Sequence, residues 1–269
     1  MNQSAKIGIV IPLKSKLASR NWDATCHALS GTVRSLAQQT SDRFVSIIVG
    51  HEQPDLSDSK SKTPEFHSIE TQAPTLTMAR EFATDNRLFT LDKNRKIVRG
   101  MQLLSSHHVD YWFTLDADDV IDRDFVKEIS LYKDAAGMIL KQGYLFYSPL
   151  NRYRSCSEME QLCGSTSVLS AAEFSLPSSL DEKEIGKVPW CCYSHMHIAS
   201  YFRDQLKKSP VLIQKPLVGY VLGHGDNCSD GFRESGLDKL KTWLKPRLLG
   251  KAIPDELGER FGLSQSDIA

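Results

Sequence analysis

No apolar run in the chain approaches the roughly 20 residues that span a bilayer, and the N-terminus lacks the charged-then-apolar pattern of a signal peptide. A soluble, cytoplasmic protein is expected. Charge of one sign is missing too: Lys and Arg total 33 and Asp and Glu total 33. No global field draws nucleic acid, and no basic stripe interleaved with aromatics invites it locally, so no nucleic-acid partner is expected. The six cysteines (Cys26, Cys156, Cys163, Cys191, Cys192, Cys228) form no C-x-x-C pair. Zinc is therefore not expected, and reduced thiols without a role are. A chain of 269 residues is long enough for a buried core, and one large α/β domain is the simplest organisation.

What is present alternates between strand and helix. Ile7-Gly8-Ile9-Val10-Ile11 is an apolar run stopped by Pro12, as in a buried parallel strand. Leu29, Val33, Leu36 and Ala37 recur at helical spacing and predict a helix from Trp22 to Gln39. Phe44 to Val49 predicts a second strand, ended by Gly50. Gln53 to Pro64 is rich in Ser, Asp, Lys and Pro and predicts a surface loop, whereas Thr75 to Phe89 and Lys93 to His107 have helical composition.

The most informative stretch runs from Val109 to Asp119, where an aromatic strand pattern ends in three carboxylates, Asp116, Asp118 and Asp119. Like charges at a buried strand end need a cation, and a divalent metal is the economical one. An EF-hand would need Gly at the sixth loop position and Glu at the twelfth. Ile121 and Lys127 stand there instead, which excludes that calcium loop. Asp122 or Asp124 is expected to cap a following helix through Val126, Ile129 and Leu131.

In doubly wound sheets ligands bind beyond the carboxyl ends of the strands, where Pro12, Gly50-His51-Glu52 and Asp116-Ala117-Asp118 would emerge. With those segments, Ser35 to Thr40 and Leu115-Asp116-Ala117-Asp118-Asp119, roughly the first half of the chain resembles family-two glycosyltransferases. The fold implied is α/β, the GT-A Rossmann-like open mixed sheet flanked by helices. The Asp116-Ala117-Asp118 run resembles the family's D-x-D motif. The activity implied is metal-dependent transfer of a sugar from a nucleoside diphosphate sugar to an acceptor hydroxyl, with inversion. The implied domain covers residues 1–236, a nucleotide-sugar half over about 1–120 and an acceptor half over about 121–236. Residues 237–269 read as a C-terminal helical extension. Two alternatives stay open. One is a catalytically degenerate GT-A domain that binds a sugar nucleotide or glycan. The other is a haloacid-dehalogenase-like phosphatase with Asp116 as nucleophile, whose distal acidic motif Gly225 to Asp230 resembles. That nucleophile normally lies near the start of its domain, whereas a full strand-helix-strand unit precedes Asp116.

The resemblance implies roles residue by residue. Asp118 is the expected metal ligand. Asp116 is expected at the ribose or the metal, and His224, flanked by Gly223 and Gly225, completes the shell. A mixed carboxylate and imidazole shell favours Mn²⁺ over Mg²⁺. Glu52 stands where the family places an acid on the nucleobase, with a UDP-sugar as the default donor. Lys96 and Arg99 are candidates for the diphosphate, while Lys93 reads more as part of a solvated face. Where the family has an acidic base at a helix start, this chain has Tyr193-Ser194-His195-Met196-His197-Ile198. His195 is the candidate base, with Asp181, Glu182 and Glu184 as substitutes, and Met196, Ala199, Phe202 and Leu206 form the expected buried stripe. Trp190, Tyr193 and Ser165 are candidates for binding a glycan or lipid-linked acceptor. Beyond Gly236, Leu237, Leu240, Trp243, Leu244 and Leu248 alternate with basic residues. A helix docked on its own domain is the preferred reading, and a weak peripheral contact with an anionic membrane is the second.

Overall fold

The protein is described from a computed structural model, over residues 4–56, 63–75, 87–223 and 247–264. Strand β1 (Ile7–Pro12) is buried at every position, as its uninterrupted apolar sequence requires. It pairs in parallel with β2 (Phe44–Gly50) on one side and β4 (Tyr111–Thr114) on the other, and β3 (Glu65–Ser68) extends the sheet beyond β2. Helix α1 (Trp22–Ala37) begins at Asn21, whose side chain accepts the Ala24 N–H. It lays Leu29, Val33 and Leu36 on the face carrying Ile7, Ile9 and Ile11. Helix α2 (Arg87–Leu104) covers the opposite face, where Ile97, Val98 and Met101 meet Val10 and Ile47. At Gly100 a Cβ would stand 2.4 Å from Val10 Cγ1, so only glycine lets α2 lie this close to β1.

Two helices were expected between residues 75 and 107. From Arg87 on there is one, because Asp92 is paired within it to Lys96 and does not break it. Residues 76–86 lie outside the described residues.

After β4 the chain turns and enters a second sheet through β5 (Asp119–Ile121). The short α3 (Phe125–Ile129) follows, then β6 (Gly137–Leu140), β7 (Gly143–Tyr147), β8 (Arg152–Cys156) and β9 (Ser167–Ser170). Strands β10 (Val211–Ile213), β11 (Val218–Leu222) and β12 (Lys251–Ala252) complete the set. The seven-stranded sheet has the order β10-β6-β9-β4-β1-β2-β3 and the five-stranded one β12-β8-β7-β11-β5. Strand β9 is antiparallel to both β4 and β6, which makes the large sheet mixed. An open mixed sheet flanked by helices is the architecture expected from the sequence.

One local expectation fails. Neither Asp122 nor Asp124 caps α3 with its side chain; the Val126 N–H goes to Gln39 Oε1 at the end of α1. The two aspartates instead hold Arg260. Its Nε and Nη2 donate to Asp122 at 2.8 and 2.6 Å, and Nη2 reaches Asp124 at 3.2 Å. The segment read as a C-terminal helical extension contains, where described, the two-residue strand β12 and a short helix at Asp255–Arg260. Strand β12 pairs with β8, and Phe261 is fully buried against Tyr144 and Phe146. Gly262, at φ +66, sits on α1, where a Cβ would be 2.9 Å from Ser35 N.

Candidate active site

The carboxyl ends of β1, β2 and β4 lie side by side, and the chain leaves β4 into a turn closed by the Asp119 N–H on the Asp116 carbonyl at 3.0 Å. Because β9 runs antiparallel to β4, the residues preceding it, Cys163 to Thr166, arrive over that turn. Ser165 is fully buried. It accepts the Asp116 N–H at 2.9 Å and donates to Asp119 Oδ2 at 2.6 Å. The Cys163 thiol donates to the same oxygen at 3.1 Å, while Asp119 Oδ1 is buried without a partner. Burial, then the charges of Asp118 and Asp116, push the Asp119 carboxyl well above its ordinary range. Burial likewise raises the Cys163 thiol, with Asp119 adding to it. The buried Asp119 braces the turn, and Asp116 and Asp118, both part-exposed, form its outer face.

Two further elements reach Asp116. Gly164 lies on its carboxylate so closely that a Cβ there would stand 2.6 Å from Oδ2. Lys93 Nζ holds Oδ1 at 2.6 Å. Helix α2 leads into the amino end of β4, so its first turns stand over the carboxyl ends of the strands. That direction, and not the spacing of the basic residues, puts Lys93 at the turn. Arg99 is about 9 Å further along the helix and meets His67 of β3 at 3.4 Å. Lys96 is 1% exposed and spends its ammonium on Asp92 at 2.5 Å, with His51 Nε2 on the other Asp92 oxygen at 2.7 Å. Burial lowers the Lys96 pKa, opposed by Asp92 and Glu52. Neither Lys96 nor Arg99 is placed to serve a diphosphate at the turn. Of Lys93, Lys96 and Arg99, Lys93 is the one at the turn, although it reads as solvated in the sequence.

The other expected residues divide similarly. Pro12 is buried at the end of β1, and Glu52 accepts the Lys16 N–H at 2.8 Å, tying the loops after β1 and β2 together. Ser165 is consumed by the aspartate turn and is closed to an acceptor. Trp190 donates its indole N–H to Ser167 Oγ at 2.8 Å and rests against Phe174, a bracing role. Tyr193 lines a cavity of about 430 Å³ with Phe174, Tyr201 and Gln205.

His195 lies in a short 3₁₀ turn, His195–His197, followed by a π-helical stretch at Tyr201–Leu206. The change of helical period moves the buried stripe to Ile198, Tyr201 and Phe202 and leaves Met196 46% exposed, against expectation. Burial draws the His195 imidazole's pKa below the usual 6.5, with Lys93 assisting and Asp116 and the Gln161 backbone opposing. It therefore sits neutral in the field of the aspartate turn. His197 turns to Ser194 Oγ at 2.9 Å. The substitutes are engaged elsewhere: Asp181 with Ser179, Glu182 with Arg87 and Glu184 with Lys187.

Among the described residues no three His, Cys, Asp or Glu side chains gather into a metal site. The carboxylates of Asp116 and Asp118 are the oxygen ligands at this turn that could hold a hard cation. His224 lies outside the described residues, as do Gly225 to Asp230. Strand β11 is antiparallel to β5, with Tyr220 opposite Asp119. No helix among the described residues is long and apolar enough to cross a membrane.

No protein-family model matches the chain, and no curated protein matches it in sequence. Among solved structures it is similar to S. aureus TarS in complex with UDP, at 11% identity and a TM-score of 0.45, over 81% of this chain and 61% of that one. It is similar also to TarS in complex with UDP-GlcNAc, at 12% identity and a TM-score of 0.48, over 83% of this chain and 60% of that one. The chain thus spans about three fifths of the length of those structures.

Proposed function

We propose that the chain is a metal-dependent glycosyltransferase that moves a sugar from a nucleoside diphosphate sugar to an acceptor hydroxyl with inversion. One observation carries the reading. The turn bearing Asp116 and Asp118 emerges at the carboxyl end of β4 beside the ends of β1 and β2, and a neutral, half-buried His195 stands in the same field. Asp118 and Asp116 would hold Mn²⁺ or Mg²⁺. When bound, the metal supplies the positive charge that the departing diphosphate needs.

The chain's own residues supply the rest. A ring nitrogen of the neutral His195 takes the proton of the acceptor hydroxyl. The acceptor oxygen bonds to the anomeric carbon from the face opposite the phosphate, the sugar–phosphate bond breaks, and the diphosphate leaves with that bond's electrons. One displacement inverts the configuration. The cleft ends of β1 and β2, tied by Glu52 and Lys16, form the donor wall, with a UDP-sugar as the default donor. Tyr193 and its cavity offer aromatic faces to a glycan or lipid-linked acceptor. Leu248 and Leu249, 74% and 59% exposed beside Arg247 and Lys251, are the apolar and basic surface a membrane carrying such an acceptor would meet.

The test is Mn²⁺-dependent release of nucleoside diphosphate from sugar nucleotides by wild type and Asp118→Ala, with thermal unfolding checked for both. Turnover lost in the variant supports the reading. A wild type that binds the nucleotide and never turns it over identifies a binding domain, and Asp116-dependent phosphatase activity without any sugar nucleotide refutes the transferase.

A further inference from the structure

We propose that His51 is a positioning residue for the donor: with Asp92 and Lys96 it forms a buried triad that fixes Glu52 against the nucleobase. The proposal rests on the transferase reading and adds to it a supporting layer on the base side of the crevice.

Asp92, Lys96 and Arg99 follow one another at four- and three-residue spacing, so they share the face of α2 that meets β2 and β3. Asp92 bridges two elements. Its Oδ2 accepts the Lys96 ammonium at 2.5 Å within the helix, and its Oδ1 bonds His51 Nε2 at 2.7 Å, from the loop after β2. The side chains of His51, Asp92 and Lys96 are 8%, 9% and 1% exposed. Neighbouring contacts between helix and sheet are apolar, Ile97, Val98 and Met101 against Val10 and Ile47. Apolar residues in place of the triad would hold α2 to β2 at least as well, because a buried ion pair loses most of its attraction to desolvation.

What apolar residues could not do is fix a direction. The triad sets where the loop after β2 stands, and Glu52 is the next residue along that loop. The Glu52 carboxylate accepts the Lys16 N–H at 2.8 Å, and the His51 carbonyl accepts the Ser68 hydroxyl at 3.2 Å. The loop is thereby tied to the segment after β1, to β3 and to α2 at once. Burial lowers the Lys96 pKa while the charges of Asp92 and Glu52 oppose it, so Glu52 lies within the field of the triad. Lys93, the residue after Asp92, reaches Asp116 at 2.6 Å. One turn of α2 thus registers the base side of the crevice with the aspartate turn.

The experiment is calorimetric titration of UDP, GDP, ADP and dTDP, and of inorganic pyrophosphate as the probe without a nucleobase, each with saturating Mn²⁺. The proteins are wild type, His51→Leu, His51→Gln, Glu52→Gln and the double variant His51→Leu, Glu52→Gln. Expected in His51→Leu is binding of the preferred nucleoside diphosphate weakened about tenfold, within the range over which contacting residues couple, with pyrophosphate binding kept. His51→Gln still offers an N–H to Asp92 and keeps the wild-type affinity. Glu52→Gln shows the same loss, and the double variant loses no more than either single one, because both act through one contact. If His51→Leu does not fold, the pair Asp92→Leu, Lys96→Met removes both charges together and should show the same split between nucleotide and pyrophosphate. Equal losses for nucleotide and pyrophosphate, unchanged nucleotide binding, additive losses in the double variant, or a wild type that binds pyrophosphate as tightly as the nucleotides would each overturn the positioning role and leave the transferase standing. A wild type that binds neither pyrophosphate nor any of the four nucleotides overturns both.

Discussion

The Ser165 hydroxyl donates to Asp119 Oδ2 at 2.6 Å while accepting the N–H of Asp116, so one side chain delivered by the approach to β9 pins both ends of the turn delivered by β4. Ser165→Ala leaves a buried carboxyl and a backbone N–H short of partners. It should cost about 2–3 kcal/mol, read by urea unfolding, and should weaken Mn²⁺ binding.

Asp119 gives a signed pH dependence. Its folded pKa is raised by burial and by its two neighbours, so the folded state holds a proton that the unfolded chain releases above about 4. Its contribution to stability is whole below that value and falls as pH rises through the folded pKa. In EDTA, the difference in unfolding free energy between wild type and Asp119→Asn should therefore shift in favour of the variant as pH increases. A difference that is flat in pH would show that Asp119 is ionised in the fold.

His195 should set the acid limb of kcat/KM below pH 6.5, since burial lowers its pKa and the neutral imidazole is the active form. His195→Gln should lower the rate by about 10²–10⁴-fold with nucleotide affinity kept, measured by diphosphate release across a pH series. A limb above pH 6.5 would assign the base elsewhere.

Gly164→Ala places a methyl group 2.6 Å from Asp116 Oδ2. Asp116 must move, and Mn²⁺ affinity should fall about tenfold, on the scale of a disturbed ligand-orienting contact, with little change in thermal unfolding.

Arg260→Met removes the partner of Asp122, whose side chain is 3% exposed. Stranding that carboxylate should cost about 3–5 kcal/mol. The double variant Arg260→Met, Asp122→Leu should recover part of it, and chemical denaturation of the three proteins measures the coupling.

The first half of the fold was legible because its signals are local. The apolar run of β1, the three-and-four spacing of α1 and the strand ending in Asp116 each need only neighbouring residues. What was illegible depends on distant partners. Asp122 and Asp124 have the spacing of caps, yet their partner is Arg260 far along the chain. Ser165 looks like an available hydroxyl until β9 is known to be antiparallel to β4. Lys93 shares its spacing with Lys96 and Arg99, and only the direction of α2 separates the three. That direction was accessible: a helix leading into a parallel strand runs back along the sheet, so its first turns stand above the strand ends.

The insertion of β9 between β4 and β6 also sets an order of events during synthesis. Ser165 follows Asp116 by 49 positions, so at about 5–20 residues per second the three carboxylates wait some seconds on the emerging chain before their brace exists. Bracing of the acidic turn by Ser165 is thus a late step in maturation. A ribosome-bound chain ending before Cys163 carries the complete Asp116-Ala117-Asp118 sequence and none of the loop that holds it in place.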